Sequence, residues 1–107
     1  MRVLDFIVSG QTLTKDPLCD FSGIAAGSQG YLFARFRFSK DWTGCKKAAL
    51  FTDSKGKEYP VGLKDNMCEI PADALTGRSV RVMIVGRSRT GSNIPTTETA
   101  FAQTVRR

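Results

Sequence analysis

The sequence contains no histidine among its 107 residues. The commonest general base of enzymes is therefore missing, and with it every catalytic triad that depends on an imidazole. The three cysteines, Cys19, Cys45 and Cys68, are far apart and lack the paired ligand spacing of a zinc site. These absences predict a protein that is not an enzyme and that holds neither a metal nor another cofactor.

Long hydrophobic runs are also missing. No apolar stretch approaches the roughly 20 residues that a membrane-spanning helix needs. Asp5 stands where a signal peptide would have its apolar centre, so the sequence predicts no export signal. An odd number of dispersed cysteines does not fit a disulfide framework. We therefore expect three reduced thiols in a protein made in a reducing cytosol.

The remaining polar residues offer few candidates for chemistry. Asp41 and Asp65 occupy turn positions, where aspartate is favoured because it bonds to the backbone. Cys45 precedes two lysines but has no base partner nearby in the sequence. Residues 86–91, Gly-Arg-Ser-Arg-Thr-Gly, lack the glycine-lysine ending and the following helix of a phosphate-binding loop.

The composition is that of a small basic globular domain. Hydrophobic residues make up 41% of the chain, which is enough for a modest core in one domain over residues 1–107. The formal net charge is +6, which attracts nucleic acid, anionic membranes or acidic proteins. The basic residues are scattered in pairs, so they are equally compatible with ordinary solvated strands and loops.

The clearest local pattern is the strict alternation over residues 31–38. Because successive strand side chains point to opposite faces, this segment predicts a half-buried β-strand. Its inner face is apolar, with Leu32, Ala34, Phe36 and Phe38. Its outer face is aromatic and basic, with Tyr31, Phe33, Arg35 and Arg37.

Similar short strands follow at regular spacing along the chain. Strands are predicted near residues 3–8, 31–38, 48–52, 59–63, 68–70, 79–85 and 96–105, with a possible edge strand at 21–25 inside a long loop over 9–30. Pro60 predicts either an edge strand or a bulge, since proline cannot donate a ladder hydrogen bond. Residues 71–75 form the single predicted helical turn. About seven strands in this arrangement predict an all-β antiparallel sandwich or a small barrel.

The outer face of the 31–38 strand is the candidate site. Tyrosine, phenylalanine and arginine are the residues enriched at the centres of protein interfaces. We therefore predict a protein-binding surface made of Tyr31, Phe33, Arg35 and Arg37, with Arg87 and Arg89 contributing from a loop. In the alternative, Tyr31 and Phe33 are covered by a neighbouring strand, a loop or a partner subunit, and Met83 and Val85 extend the same patch. The predicted core contains Phe36, Phe38, Leu50, Val82 and Ile84.

Two alternatives remain open at this point. Trp42, the single tryptophan, is either a plug at the end of the sandwich or an exposed binding anchor. The same aromatic and basic strand could also stack bases and follow a phosphate backbone, as oligonucleotide-binding barrels do.

The order of motifs along the chain resembles a known family. The motifs are Gly-Gln-Thr-Leu-Thr at 10–14, Tyr-Leu-Phe-Ala-Arg-Phe-Arg-Phe at 31–38, Lys-Asp-Trp-Thr-Gly at 40–44, Lys-Ala-Ala-Leu-Phe at 47–51, Leu-Lys-Asp-Asn-Met-Cys-Glu-Ile-Pro at 63–71, Val-Met-Ile-Val-Gly at 82–86 and Ile-Pro-Thr-Thr at 94–97. Together they resemble the small immunoglobulin-like structural modules of tailed phages that infect Gram-positive bacteria. The shared motifs are structural, so no functional residue is transferred.

The resemblance implies an antiparallel immunoglobulin-like sandwich that serves as a structural part of a virion. It implies attachment to the tail, baseplate or a fibre, or alternatively decoration of the capsid. The expected partners are other virion proteins or further copies of the chain; nucleic acid is the more distant possibility and no membrane is involved. The expected location is the virion, assembled in the cytoplasm of the host bacterium.

Overall fold

Two four-stranded β-sheets, packed face to face, form the protein in a computed structural model that describes residues 1–25 and 29–87 and the backbone of residues 101–104. The first sheet has the strand order β2-β1-β3-β6, and the second has the order β5-β4-β7-β8. The strands are β1 (Arg2–Ser9), β2 (Thr12–Lys15), β3 (Leu32–Phe38), β4 (Lys46–Asp53), β5 (Glu58–Gly62), β6 (Met67–Glu69), β7 (Ser79–Arg87) and β8 (Phe101–Thr104). Within the described residues, no helix is both long and apolar enough to cross a membrane.

The predicted alternation of β1 and β3 is confirmed, but their pairing is not the predicted one. Phe6 and Phe36 point into the core, with ring centroids 5.1 Å apart. The two strands run parallel, with Phe6 opposite Phe36, so the expectation of a wholly antiparallel sandwich is wrong for this pair. The reason lies in β2, which folds back along one edge of β1. The chain then crosses to the other edge of β1 before it enters β3.

The strand β2 lies in a region that the sequence predicted to be a loop. It pairs antiparallel with β1 across a turn at Gly10, which has a left-handed φ of 57° that glycine adopts without strain. Leu13 is buried opposite Val8 and is the one core residue of this strand. A four-residue strand with one apolar side chain gives too short an alternation to be detected in the sequence.

The second sheet corrects one predicted core residue. In β4, Ala49 and Phe51 are buried, whereas Leu50 lies on the opposite, outer face and is only partly buried. The neighbouring strands determine which residues of β4 face the core, since Phe51 lies opposite both Tyr59 and Val82. The remaining predicted core residues lie as expected: Phe36, Val82 and Ile84 are buried, and Phe38 packs partly buried against the core. The edge position predicted for β5 is confirmed.

Trp42 closes one end of the sandwich. It ends a short 3₁₀ helix (Lys40–Trp42), is completely buried, and donates a hydrogen bond from Nε1 to the carbonyl oxygen of Gly10 at 2.9 Å. The plug interpretation is therefore confirmed and the exposed-anchor interpretation is wrong. The predicted helical turn near residue 71 is also present, as a second 3₁₀ helix (Ala72–Leu75).

Candidate functional site

The predicted binding surface lies on the outer face of the first sheet. Tyr31 directly precedes β3 and is 52% exposed. Phe33 is half-buried on the same face, and Arg35 and Arg37 are exposed beyond it. The structure thus brings four of the predicted site residues together in one row, which we call the β3 face (Tyr31, Phe33, Arg35, Arg37).

Both arginines of the β3 face are already paired with carboxylates. Arg35 donates from Nε to Asp5 Oδ1 at 2.6 Å and from Nη2 to Asp5 Oδ2 at 3.2 Å. Arg37 donates from Nη2 to Asp16 Oδ2 at 3.1 Å. The bond with Asp5 raises the pKa of the Arg35 guanidinium above its ordinary value. The positive charge of this face is therefore locally compensated, which suits a polar protein contact better than a phosphate backbone.

The sequence did not reveal these two aspartates as part of the site. Asp5 meets Arg35 because the parallel register places the two residues side by side on β1 and β3. Asp16 follows β2, the strand that was not predicted, and its backbone N–H donates to the carbonyl oxygen of Asp5 at 3.0 Å. Cross-strand neighbours of this kind depend on the sheet order, which the alternation of a single strand does not contain.

An open groove runs beside the paired arginines. Its volume is about 600 Å³, and its polar lining consists of Asp5, Asp16, Arg35, Arg37, Asp65 and Asn66. Asp65 and Asn66 form the turn before β6, with left-handed φ values of 54° and 61°. Asp65 thus has the turn position that the sequence predicted. The β3 face is therefore bordered by a concave surface that offers hydrogen-bond donors, hydrogen-bond acceptors and charged groups of both signs.

Several residues predicted to join the β3 face lie elsewhere. Arg87 ends β7 as an ordinary strand residue of the second sheet, so it does not reach the first sheet from a loop. Met83 and Val85 belong to the same strand and face outward from the second sheet, so they cannot extend the patch. Arg89 lies outside the described residues.

The outer face of the second sheet is a second candidate surface that the sequence analysis missed. Its centre is apolar and partly exposed, with Ala48, Leu50, Pro60, Met83 and Val85. The exposed cations Lys46 and Arg87 lie opposite each other at one end of this face, and Arg81 lies toward the other end. None of the three has an ion-pair partner among the described residues. This surface could have been predicted from the sequence if Leu50 had been assigned to the outer face of β4 instead of to the core.

The thiols and carboxylates of the described residues have local roles in the fold. No group of three or more potential metal ligands occurs among those residues. Burial raises the pKa of the Cys68 thiol to about 12, so this thiol stays protonated at neutral pH. Cys19 is held in the fold, since its Sγ accepts the backbone N–H of Asp5 at 3.3 Å. Asp41 accepts the Ser39 hydroxyl at 3.1 Å, a local turn contact.

The fold is similar to one seen in a phage protein. The N-terminal domain of phage TP901-1 ORF48 superposes with a TM-score of 0.60 over 100% of both chains, at 12% sequence identity. Identity at this level shows a shared fold and carries no residue of the site from one chain to the other. No protein-family model and no curated protein sequence matches this chain.

Proposed function

We propose that this protein is a non-enzymatic structural component of a phage virion, a protein-binding module attached to the tail, baseplate or a fibre. The observation that carries the proposal is the full-length fold similarity to the N-terminal domain of a phage protein. The immunoglobulin-like type of the sandwich belongs to the same proposal. The parallel β1–β3 pair is a departure from the antiparallel form of that type.

The β3 face supports a protein partner. Tyr31 offers a large amphipathic side chain that loses little conformational entropy on binding, and Phe33 adds apolar surface on the same face. The ion pairs hold Arg35 and Arg37 in place, so less side-chain entropy is lost when a partner covers them. A partner with an apolar patch next to hydrogen-bonding groups fits this face best.

Immunogold electron microscopy of purified particles tests the proposal. Antibody against this chain should place gold on the tail end of particles produced by the encoding phage. Gold distributed over the head would instead establish the alternative, capsid decoration. Particles without gold, with the protein left in the lysate, would overturn the virion assignment.

A pair of variants connects the particle assay to the site. Tyr31→Asp changes the most exposed residue of the β3 face, and Thr52→Asp makes the same kind of change on the outer face of the second sheet. Tyr31→Asp should lower the amount of this chain per particle by about tenfold or more, while Thr52→Asp leaves it unchanged. Equal incorporation of both variants would remove the β3 face from the proposal.

A further inference from the structure

Leu18 is an aliphatic side chain held in solvent by an ordered turn. It is 95% exposed, more than any other large hydrophobic side chain in the described part of the chain. Its backbone N–H donates to Asp16 Oδ1 at 2.9 Å, and the N–H of Cys19 donates to the Asp16 carbonyl oxygen at 3.0 Å. Pro17 restricts the backbone between them. We call residues 16–20 the Leu18 turn.

The Leu18 turn is fixed to the first sheet at its base. Asp16 bonds to Arg37 of β3 and, through its N–H, to Asp5 of β1. An exposed apolar group on a fixed support loses little conformational freedom when it enters a pocket, which is the property of an interface anchor. Leu18 is therefore both exposed and held in a fixed position, as expected of a residue that binds in a pocket of a partner.

The Leu18 turn also carries the carboxylate of Asp20, whose backbone carbonyl oxygen accepts a hydrogen bond from Arg2 Nη2 at 2.9 Å. Asp20 accepts the hydroxyl of Ser22 at 2.7 Å and its backbone N–H at 2.9 Å, and these bonds lower the pKa of its carboxyl group. Asp20 forms no salt bridge with any residue that the structure describes. The Leu18 turn thus combines one exposed aliphatic side chain with the Asp20 carboxylate, whereas its other carboxylate, Asp16, is paired with Arg37.

A pocket of the opposite character lies on the outer face of the second sheet. Its volume is about 380 Å³, and it is lined by Lys46, Lys47, Ala48, Val85, Gly86 and Arg87. Ala48, Val85 and Gly86 contribute the small and apolar part of the lining, and Lys46, Lys47 and Arg87 contribute positive charge. Lys47 is engaged locally, since its Nζ donates to the Cys45 carbonyl oxygen at 3.3 Å. Lys46 and Arg87 have no ion-pair partner among the described residues, so each can pair with an incoming carboxylate. We call this site the basic pocket.

We propose that the Leu18 turn of one copy of this chain docks into the basic pocket of a second copy. Leu18 contacts the apolar part of the lining, and Asp20 pairs with Lys46 or Arg87. The turn and the pocket are two different surfaces of the chain, so the contact between copies is head-to-tail. Such a contact repeats from copy to copy and gives a ring if the rotation closes or a filament if it does not. The proposal holds whether or not the protein belongs to a virion.

Sedimentation equilibrium of the full chain at physiological salt, from micromolar to millimolar concentration, tests this proposal. The wild type should show concentration-dependent association. Leu18→Asp removes the anchor and Val85→Asp places a charge in the pocket lining, and each should weaken association by about tenfold or more. Thr12→Asp is the matched control: it adds a carboxylate at an exposed position of β2, on the first sheet, and should leave association unchanged.

Mixing the two variants tests directly whether the turn of one copy contacts the pocket of another. Leu18→Asp retains an intact pocket and Val85→Asp an intact turn, so an equimolar mixture should form a dimer and stop there. A mixture that stays monomeric overturns the head-to-tail contact. If the wild type stays monomeric at millimolar concentration, the proposal is wrong. The basic pocket would then be expected to bind an acidic surface of another protein. Thermal unfolding of each variant confirms that it is folded.

Discussion

Two phenylalanines of β3 mark the boundary between core and binding surface. Phe36 is 2% exposed and stacks on Phe6, whereas Phe33 is half-buried on the β3 face. We expect Phe36→Asp to abolish folding, because even truncation of a buried phenylalanine costs about 3–5 kcal/mol and a buried charge adds to that. Phe33→Asp should leave a cooperative unfolding transition in urea. If Phe33→Asp unfolds the protein as completely as Phe36→Asp, then Phe33 is a core residue and the β3 face is not a binding surface.

Gly86 is required by the packing of Trp42 and not by its backbone angle. A Cβ atom at Gly86 would lie 2.6 Å from Trp42 Cζ3, inside the buried end of the sandwich. Gly86→Ala should therefore destabilise the protein by about 1–3 kcal/mol, the usual range for overpacking. Gly62→Ala is the matched control on β5, since no atom lies within 4 Å of its Cβ position. Urea unfolding followed by tryptophan fluorescence measures both. Equal effects of the two changes would show that the ring can move away.

At the scale of the elements, the turn between β4 and β5 depends on a buried carboxylate. Asp53 is 8% exposed, and its oxygens accept the backbone N–H groups of Lys55 and Lys57, each at 2.9 Å, and the hydroxyl of Tyr59 at 3.0 Å. The N–H of Lys57 is the largest cause of the lowered pKa of Asp53, followed by the opposing effect of burial. The burial of Tyr59 and its bond to Asp53 raise the pKa of the tyrosine.

This arrangement predicts a specific acid sensitivity. Because folding lowers the pKa of Asp53, its contribution to stability is fully present above the ordinary aspartate value, near pH 4, and is lost as the pH falls through the lower folded value. Asp53→Asn should reduce stability at pH 7 and flatten the decline below about pH 4. Glu58→Gln removes an exposed carboxylate from the neighbouring strand and serves as the control. The measurement is the free energy of unfolding between pH 7 and pH 2. If this free energy has the same pH dependence in the wild type and in Asp53→Asn, the Asp53 carboxylate does not contribute to stability in the way proposed.

The elements also show how far the sequence could predict this fold. The alternation in β3 and β7 is long and strongly apolar on one side, so both strands and their faces were predicted. In β4, two alanines stand before Leu50, and small residues on both faces leave the phase undetermined until the partner strands are known. The ion pairs of the β3 face required the parallel register of β1 and β3. That register follows from the path of the chain and not from either strand alone.

For the molecule as a whole, which carries a net charge of +6, the two sheets differ in whether the arginines on their outer faces form ion pairs. The two ion pairs of the described residues compensate Arg35 and Arg37 on the first sheet. Arg81 and Arg87 on the second sheet have no such partner among the described residues. A polyanion should therefore approach the second sheet. This distribution weighs against the β3 face as a surface for single-stranded nucleic acid, because its arginines would have to leave their carboxylates to contact phosphates.

The distribution can be tested with two variants of equal net charge. Arg35→Ala/Arg37→Ala and Arg81→Ala/Arg87→Ala each remove two of the positive charges, which takes the formal charge from +6 to +4. We expect oligo(dT) to bind weakly at low salt, with an affinity that falls steeply as salt rises because bound counterions are released. The salt dependence should become less steep in the Arg81/Arg87 variant than in the Arg35/Arg37 variant, because the former loses cations that have no ion-pair partner among the described residues. Fluorescence anisotropy over a salt series measures both slopes. A larger loss in the Arg35/Arg37 variant would show that the β3 face contacts the phosphates, and nucleic-acid binding would then replace protein binding as the leading function.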